Sequence, residues 1–106
     1  MNRAALAACV LGLLLPLAAA QAEPRTHVIE VANMAFAAAP ADVHVGDIVI
    51  WRNKDMFRHT ATARDGGFDI DLPAGGQGSM TAEKPGSFAY FCRFHPTMKA
   101  VLKIEP

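Results

Sequence analysis

Apolar and polar side chains alternate every two residues along much of the chain after residue 41, and no helical period of useful length appears. Asp42 and His44 alternate with Val43 and Val45, which predicts a short strand before Gly46-Asp47 turns the chain. Ile48-Val49-Ile50-Trp51 is an unbroken apolar run, the pattern of a strand buried on both faces. Asn53-Lys54-Asp55 marks a loop. Alternation then resumes, placing His59, Ala61 and Ala63 on one face and Thr60 and Thr62 on the other. Gly66, Gly67, Pro73, Gly75, Gly76 and Gly78 punctuate the next stretch, which reads as mostly loop with little room for strand. Ser79 to Glu83 predicts a short strand, and Pro85-Gly86 occupy the centre of a type II turn. Phe88, Tyr90 and Cys92 share one face of the following strand. In the last strand Met98, Ala100, Leu102 and Ile104 face one way, and Lys99, Val101, Lys103 and Glu105 the other. About seven short strands separated by turn signals predict an all-β fold, a small two-sheet β-sandwich.

The first 22 residues follow a different pattern. Arg3 is followed by an uncharged stretch from Ala4 to Ala20, and Ala20-Gln21-Ala22 is a small-x-small cleavage pattern. This predicts an export signal over 1–22, cut near Ala22, and one domain over 23–106. The apolar run is interrupted by Gly12 and Pro16 and is short for a spanning helix, which needs about 20 residues. No membrane insertion is expected after cleavage. Leu6-Ala7-Ala8-Cys9 resembles a lipoprotein processing site, but Cys9 precedes most of the apolar run, which argues against lipidation there.

Removing the signal changes what the composition means. The full chain has 106 residues, 52% of them hydrophobic, and two cysteines that could suggest a disulfide. Of the two, only Cys92 survives cleavage, so an internal disulfide is excluded. Basic and acidic residues balance at ten each, and losing Arg3 leaves a charge of about −1. That balance gives no global field to recruit nucleic acid or anionic lipid. A domain this small buries only about 60% of its unfolded surface and gains from a staple. An unpaired cysteine in an exported protein points first to a metal.

Cys92-Arg93-Phe94-His95-Pro96-Thr97-Met98 sets a thiol, an imidazole and a thioether three residues apart. One tight turn can aim all three at a single ion, and a further ligand must come from another strand. His59, inward-facing beside small Ala61 and Ala63, is the best candidate. Two imidazoles and a thiolate with a weak axial thioether match the preference of type 1 (blue) copper. Zinc would more often draw on further cysteines or histidines. Two other readings stand beside copper: a Cys-His nucleophile pair, and plain packing of Cys92 and Met98 with His95 as a turn residue. His27 and His44 read as exposed strand residues, with a second weak copper site as the alternative.

Val43 to Asn53, His59, Pro85-Gly86 and Tyr90 to Lys99 resemble the cupredoxin pattern over nearly the whole chain after the signal. The two-residue gaps in Cys-x-x-His-x-x-Met are similar to those of its amicyanin branch. The resemblance implies a Greek-key sandwich and a periplasmic one-electron carrier, not an enzyme. It implies one copper ion held by His59, Cys92, His95 and Met98. Asn53, six residues before His59, matches the family's asparagine. Arg58 and Thr60 depart from it, standing where the branch has proline and asparagine. Threonine can supply one bond through its hydroxyl but not an amide's full set.

On this reading His95 is the ligand nearest solvent, flanked by Met56, Phe57, Phe94 and Pro96 as an apolar docking patch. Arg58, Arg93 and Lys99 adjoin three of the four ligands and predict a basic rim, while Asp65, Asp69, Asp71 and Glu83 fall mid-chain. The expected partners are redox proteins such as a periplasmic dehydrogenase or a c-type cytochrome with an acidic docking face, met by a monomer. The competing function is copper carriage, delivering the ion without redox cycling.

Overall fold

The structure, a computed structural model, describes residues 8–14 and 23–106. Most of the predicted export signal, residues 1–7 and 15–22, lies outside the described residues. Eight strands follow in order: β1 Thr26–Ala32, β2 Ala35–Phe36, β3 Ile48–Asn53, β4 His59–Ala63, β5 Asp69–Leu72, β6 Gln77–Thr81, β7 Gly86–Phe91 and β8 Lys99–Ile104. They form two four-stranded sheets, ordered β2-β1-β3-β6 and β5-β4-β7-β8. β1 and β3 run parallel, and every other neighbouring pair runs antiparallel. The all-β sandwich is as the alternation predicts. Among the described residues no helix is long and apolar enough to cross a membrane.

The core is what the two-residue period places inside. Ile29 and Val31 of β1, Val49 and Trp51 of β3, Ala61 of β4, Leu72 of β5, Tyr90 of β7 and Leu102 and Ile104 of β8 are all buried. Each fully buried large side chain stabilises the fold by about 1.5–3 kcal/mol. Trp51 meets Tyr90 edge-on at 5.7 Å between ring centroids, and its Nε1–H donates to the Tyr90 hydroxyl at 3.4 Å. The last two strands match their predicted faces: Tyr90, Leu102 and Ile104 are buried, while Val101, Lys99 and Lys103 are exposed.

Three strand expectations are corrected. The stretch read as mostly loop contains β5 and the first two residues of β6, Gln77 and Gly78, while the rest of β6 falls within the strand expected from Ser79. Gly75 and Gly76 turn the chain between them, but Gly78 lies within β6 for a steric reason: a Cβ there would stand 2.7 Å from the carbonyl oxygen of Asp71. The glycine lets the edges of the two sheets close on one another. Val43 to Val45 is not a strand, and only His44 makes an isolated parallel bridge, to Glu105. Ile48 to Trp51 is not buried on both faces: Val49 and Trp51 point into the core while Ile48 is exposed and Ile50 half-buried. The outer face of its sheet is uncovered, so only alternate residues leave water.

Chain direction gathers chemistry at one end. β3 ends at Asn53 and β4 begins at His59; β7 ends at Phe91 and β8 begins at Lys99. The loops 54–58 and 92–98 therefore emerge together.

Candidate metal centre

His59 opens β4 facing inward and is fully buried; Cys92 leaves β7 on the inward face and is fully buried as well. A tight turn follows. The Cys92 N–H donates to the Met98 carbonyl at 3.0 Å, that of His95 to the Cys92 carbonyl at 3.3 Å, and that of Met98 to the His95 carbonyl at 2.9 Å. These bonds bring His95 over Cys92 and set Met98 at the base of the turn, buried in the same core cluster as Cys92. His95 is half-buried at the mouth.

Three donor atoms converge. His59 Nδ1 lies 3.2 Å from His95 Nδ1, and each nitrogen lies 3.7 Å from Cys92 Sγ. The centre of that triangle is about 2 Å from each corner, near ordinary metal–nitrogen and metal–thiolate bond lengths of about 2.0–2.3 Å. Among the described residues this is the one group of three such side chains whose ligand atoms lie together, within 4.8 Å.

Protonation supports the same use. His59 Nε2 lies 2.8 Å from Asp55 Oδ2. The N–H of Met34, the His59 side chain and the N–H of Asn33 together hold the Asp55 carboxyl below its ordinary range, against the opposing effect of burial. An ionised carboxylate only accepts, so the proton of this bond sits on His59 Nε2. In the neutral ring Nδ1 is then a bare lone pair aimed at Cys92 and His95. A carboxylate behind a histidine in this way fixes tautomer and ring orientation for a metal. Two imidazole nitrogens and one thiol, with Met98 buried on the same turn, make a donor set that suits copper.

Asn53 braces the loop beneath His59. Its Nδ2 lies within donating distance of the carbonyls of Phe57 at 2.7 Å, Leu72 at 3.0 Å and Pro73 at 3.1 Å, while its Oδ1 accepts from Asp55 N–H at 2.9 Å. Thr60 touches the turn twice: its N–H donates to Cys92 Sγ at 3.4 Å, and its hydroxyl accepts from Arg93 N–H at 2.9 Å. Sequence reasoning passes over Asp55 as a loop residue. Its spacing of four before His59 was the available signal.

The apolar patch around the mouth is present. Met56, Phe57 and Phe94 are 90%, 60% and 49% exposed, and Phe57 lies edge-on to His95 at 6.3 Å. The basic rim is corrected. Arg58 pairs with Asp71 at 2.8 Å, and Arg93 pairs with Asp69 at 3.1 Å and with Asp71 at 3.8 Å. The two guanidinium groups flank the Phe94 ring, each 5.5 Å from its centroid. The cause is strand pairing: β5 lies beside β4 with Asp71 opposite Thr60 and Asp69 opposite Thr62, which brings these two acids beside Arg58 and Arg93. The charges of Arg58 and Arg93 are thus matched within the molecule, only Lys99 of the predicted rim stands outside these ion pairs, and the argument for an acidic-faced partner is weakened.

Among the described residues His27 and His44 are not drawn into a three-donor group. His27 is also not the exposed residue expected, its side chain being only 11% accessible, because Nε2 bonds to Asp47 at 2.8 Å. His44 is half-exposed, with Nε2 3.7 Å from Glu105.

Comparison with known proteins agrees with this geometry. The family model described as a cupredoxin-like domain matches residues 4–104. Solved amicyanin structures superpose well. A reduced Cu(I) form of a proline-to-glycine variant is 27% identical, with a TM-score of 0.64. A Cu(I) form of a methionine-to-alanine variant is 26% identical, with a TM-score of 0.63. The oxidised state of a proline-to-alanine variant is also 26% identical, with a TM-score of 0.63. Each match covers 76% of this chain and 82% of the other. No curated protein sequence matches. With a two-sheet β-sandwich, a thiol and two imidazoles converging at one end, and a family model spanning nearly its full length, the chain belongs to the cupredoxin-like family.

Proposed function

We propose that the chain is a periplasmic blue-copper protein that carries single electrons between redox partners. His59, Cys92 and His95 would hold the ion, with Met98 as the weak axial ligand. The observation that carries this reading is the triangle of two Nδ1 atoms and Sγ, centred about 2 Å from each donor. Bound copper supplies a one-electron Cu(II)/Cu(I) couple. Residues 1–22 would act as a cleaved export leader, leaving 23–106 as the working domain.

The chain's own residues do the rest. Asp55 keeps the His59 proton on Nε2 and the lone pair on Nδ1. Burial of His59 and Cys92 excludes water from two of the donors, so the ligands stay in place when the charge at the centre changes. The Thr60 N–H donates to Cys92 Sγ, stabilising charge on sulfur. His95, half-buried between Phe57 and the solvent, is the port through which an electron enters or leaves. Met56, Phe57 and Phe94 offer a partner an apolar face around that port. Arg58 and Arg93 beside it are already paired with Asp71 and Asp69, so docking rests on apolar contact more than on long-range attraction.

Copper carriage remains the second reading, because it uses the same ligands; the burial of Cys92, His59 and Met98 favours retention over delivery. Voltammetry of the copper-loaded protein separates the two. A reversible one-electron wave, with the copper still bound after repeated cycling and in the presence of a competing chelator, is the expected result. An irreversible wave, or copper lost on reduction, would favour carriage.

A further inference from the structure

Behind the ligand turn, on the outer face of the second sheet, lies a closed ring of polar groups. Arg93 N–H donates to Thr60 Oγ1 at 2.9 Å, Thr60 Oγ1 lies 2.9 Å from Thr62 Oγ1, and the Thr62 hydroxyl donates to Asp69 Oδ1 at 2.7 Å. The Arg93 side chain closes the ring, its Nε donating to the same Asp69 Oδ1 at 3.1 Å. Proton counting fixes the direction. The carboxylate only accepts, so Thr62 spends its single proton on Asp69 and must accept from Thr60. Thr60 in turn spends its proton on Thr62 and presents a lone pair to Arg93 N–H. Asp69 therefore orients both hydroxyls.

We propose that Thr62 and Asp69 are positioning residues for the ligand turn, acting through Thr60 on the residue after Cys92. One threonine hydroxyl has a single proton and cannot by itself pin a loop as an amide side chain can. Here the second hydroxyl and the carboxylate complete its bonding, and Arg93 is held at both backbone and side chain. Thr60 is fully buried and also donates its N–H to Cys92 Sγ at 3.4 Å, so a shift at Thr60 is felt at the sulfur. The effect on the turn stands on this geometry alone, and the effect on a reduction potential rests on the blue-copper reading. Weakening the donor to sulfur disfavours the reduced form of a copper–thiolate centre, because hydrogen bonds at the sulfur tune its potential.

The test compares Thr62→Val, Thr62→Ser and Asp69→Asn with the parent protein. Amide hydrogen exchange of Arg93 is followed by NMR in the metal-free protein, and the reduction potential is measured after copper loading. Thr62→Val and Asp69→Asn should speed Arg93 exchange by about tenfold, the scale of one lost hydrogen bond. Thr62→Ser, which keeps the hydroxyl, should stay close to the parent. The Gly46 amide, bonded to the Ala82 carbonyl at the far end, should not change in any variant. The potential should fall in Thr62→Val and Asp69→Asn and hold in Thr62→Ser. Equal behaviour of the valine and serine variants would overturn the relay, as would faster exchange at Gly46 to the same degree as at Arg93. Faster Arg93 exchange with an unchanged potential would overturn the link to the sulfur. The expected exchange pattern with no reversible copper wave even in the parent would support the relay and overturn the blue-copper reading.

Discussion

His59 with Asp55 and His27 with Asp47 are chemically the same pair, placed at opposite ends of the sandwich. In each, an imidazole Nε2 lies 2.8 Å from a carboxylate oxygen. Each carboxylate also accepts two backbone N–H groups, from Asn33 and Met34 at Asp55 and from Arg25 and His44 at Asp47. The difference is what the other side of the ring meets. His59 Nδ1 faces the thiol of Cys92 and a second imidazole, whereas no third donor joins His27 and Asp47 among the described residues. A histidine–carboxylate pair is therefore a staple by default. It becomes part of a metal centre only where strand direction brings further lone pairs to the same point.

Substitutions at the two ends should separate along that line. The largest effect is expected from Cys92→Ser, which removes the thiolate: copper affinity, read by chelator competition, should fall by more than about a hundredfold, beyond what an outer partner supplies. Asp55→Ala keeps all donors but frees the His59 ring, and should cost about 10–100-fold in affinity by the same titration. Asp47→Ala should leave affinity within about twofold and instead lower Tm by about 5–10 °C, through loss of the bonds tying β1 to the 44–47 turn. If Asp47→Ala weakened copper binding as much as Asp55→Ala, the distinction between the ends would fail.

Acid adds a finer contrast. The N–H groups of Arg25 and His44 and the His27 side chain hold the Asp47 carboxyl well below the usual carboxylate range. Its folded value lies under the unfolded one of about 3.9, so its contribution is complete above about pH 4 and lost as pH falls toward the folded value. Acid titration of folding should show the parent losing stability below about pH 4 and Asp47→Asn following a flatter curve there. The smallest effect concerns docking. With Arg58 and Arg93 paired to Asp71 and Asp69, raising salt from low to physiological strength should change electron-transfer rates to a redox partner by less than about threefold.

The convergence of His59, Cys92 and His95 was legible in the sequence because these residues sit where local rules are strongest. Cys92, His95 and Met98 share one turn, and His59 follows from the two-residue period of β4. The inward and outward residues of β7 and β8 were readable for the same reason. What was not legible depends on strands meeting across the sheet. Asp69 and Asp71 are ten residues or more from either arginine in the chain, and only the pairing of β5 with β4 sets them beside Arg58 and Arg93. β5 itself was hidden because glycines surround it, and one of those, Gly78, serves close packing and not a turn. Asp55 lies in a loop as expected, but its role beside His59 and the burial of His27 depend on partners that residue type alone does not disclose.

The central claim is that His59, Cys92 and His95 form a type 1 copper centre. The most direct measurement is the visible and EPR spectrum of the purified protein loaded with one equivalent of Cu(II). The account predicts an intense blue absorption band with narrow copper hyperfine splitting, both lost in Cys92→Ser. A pale protein with wide hyperfine splitting, unchanged by Cys92→Ser, would contradict it.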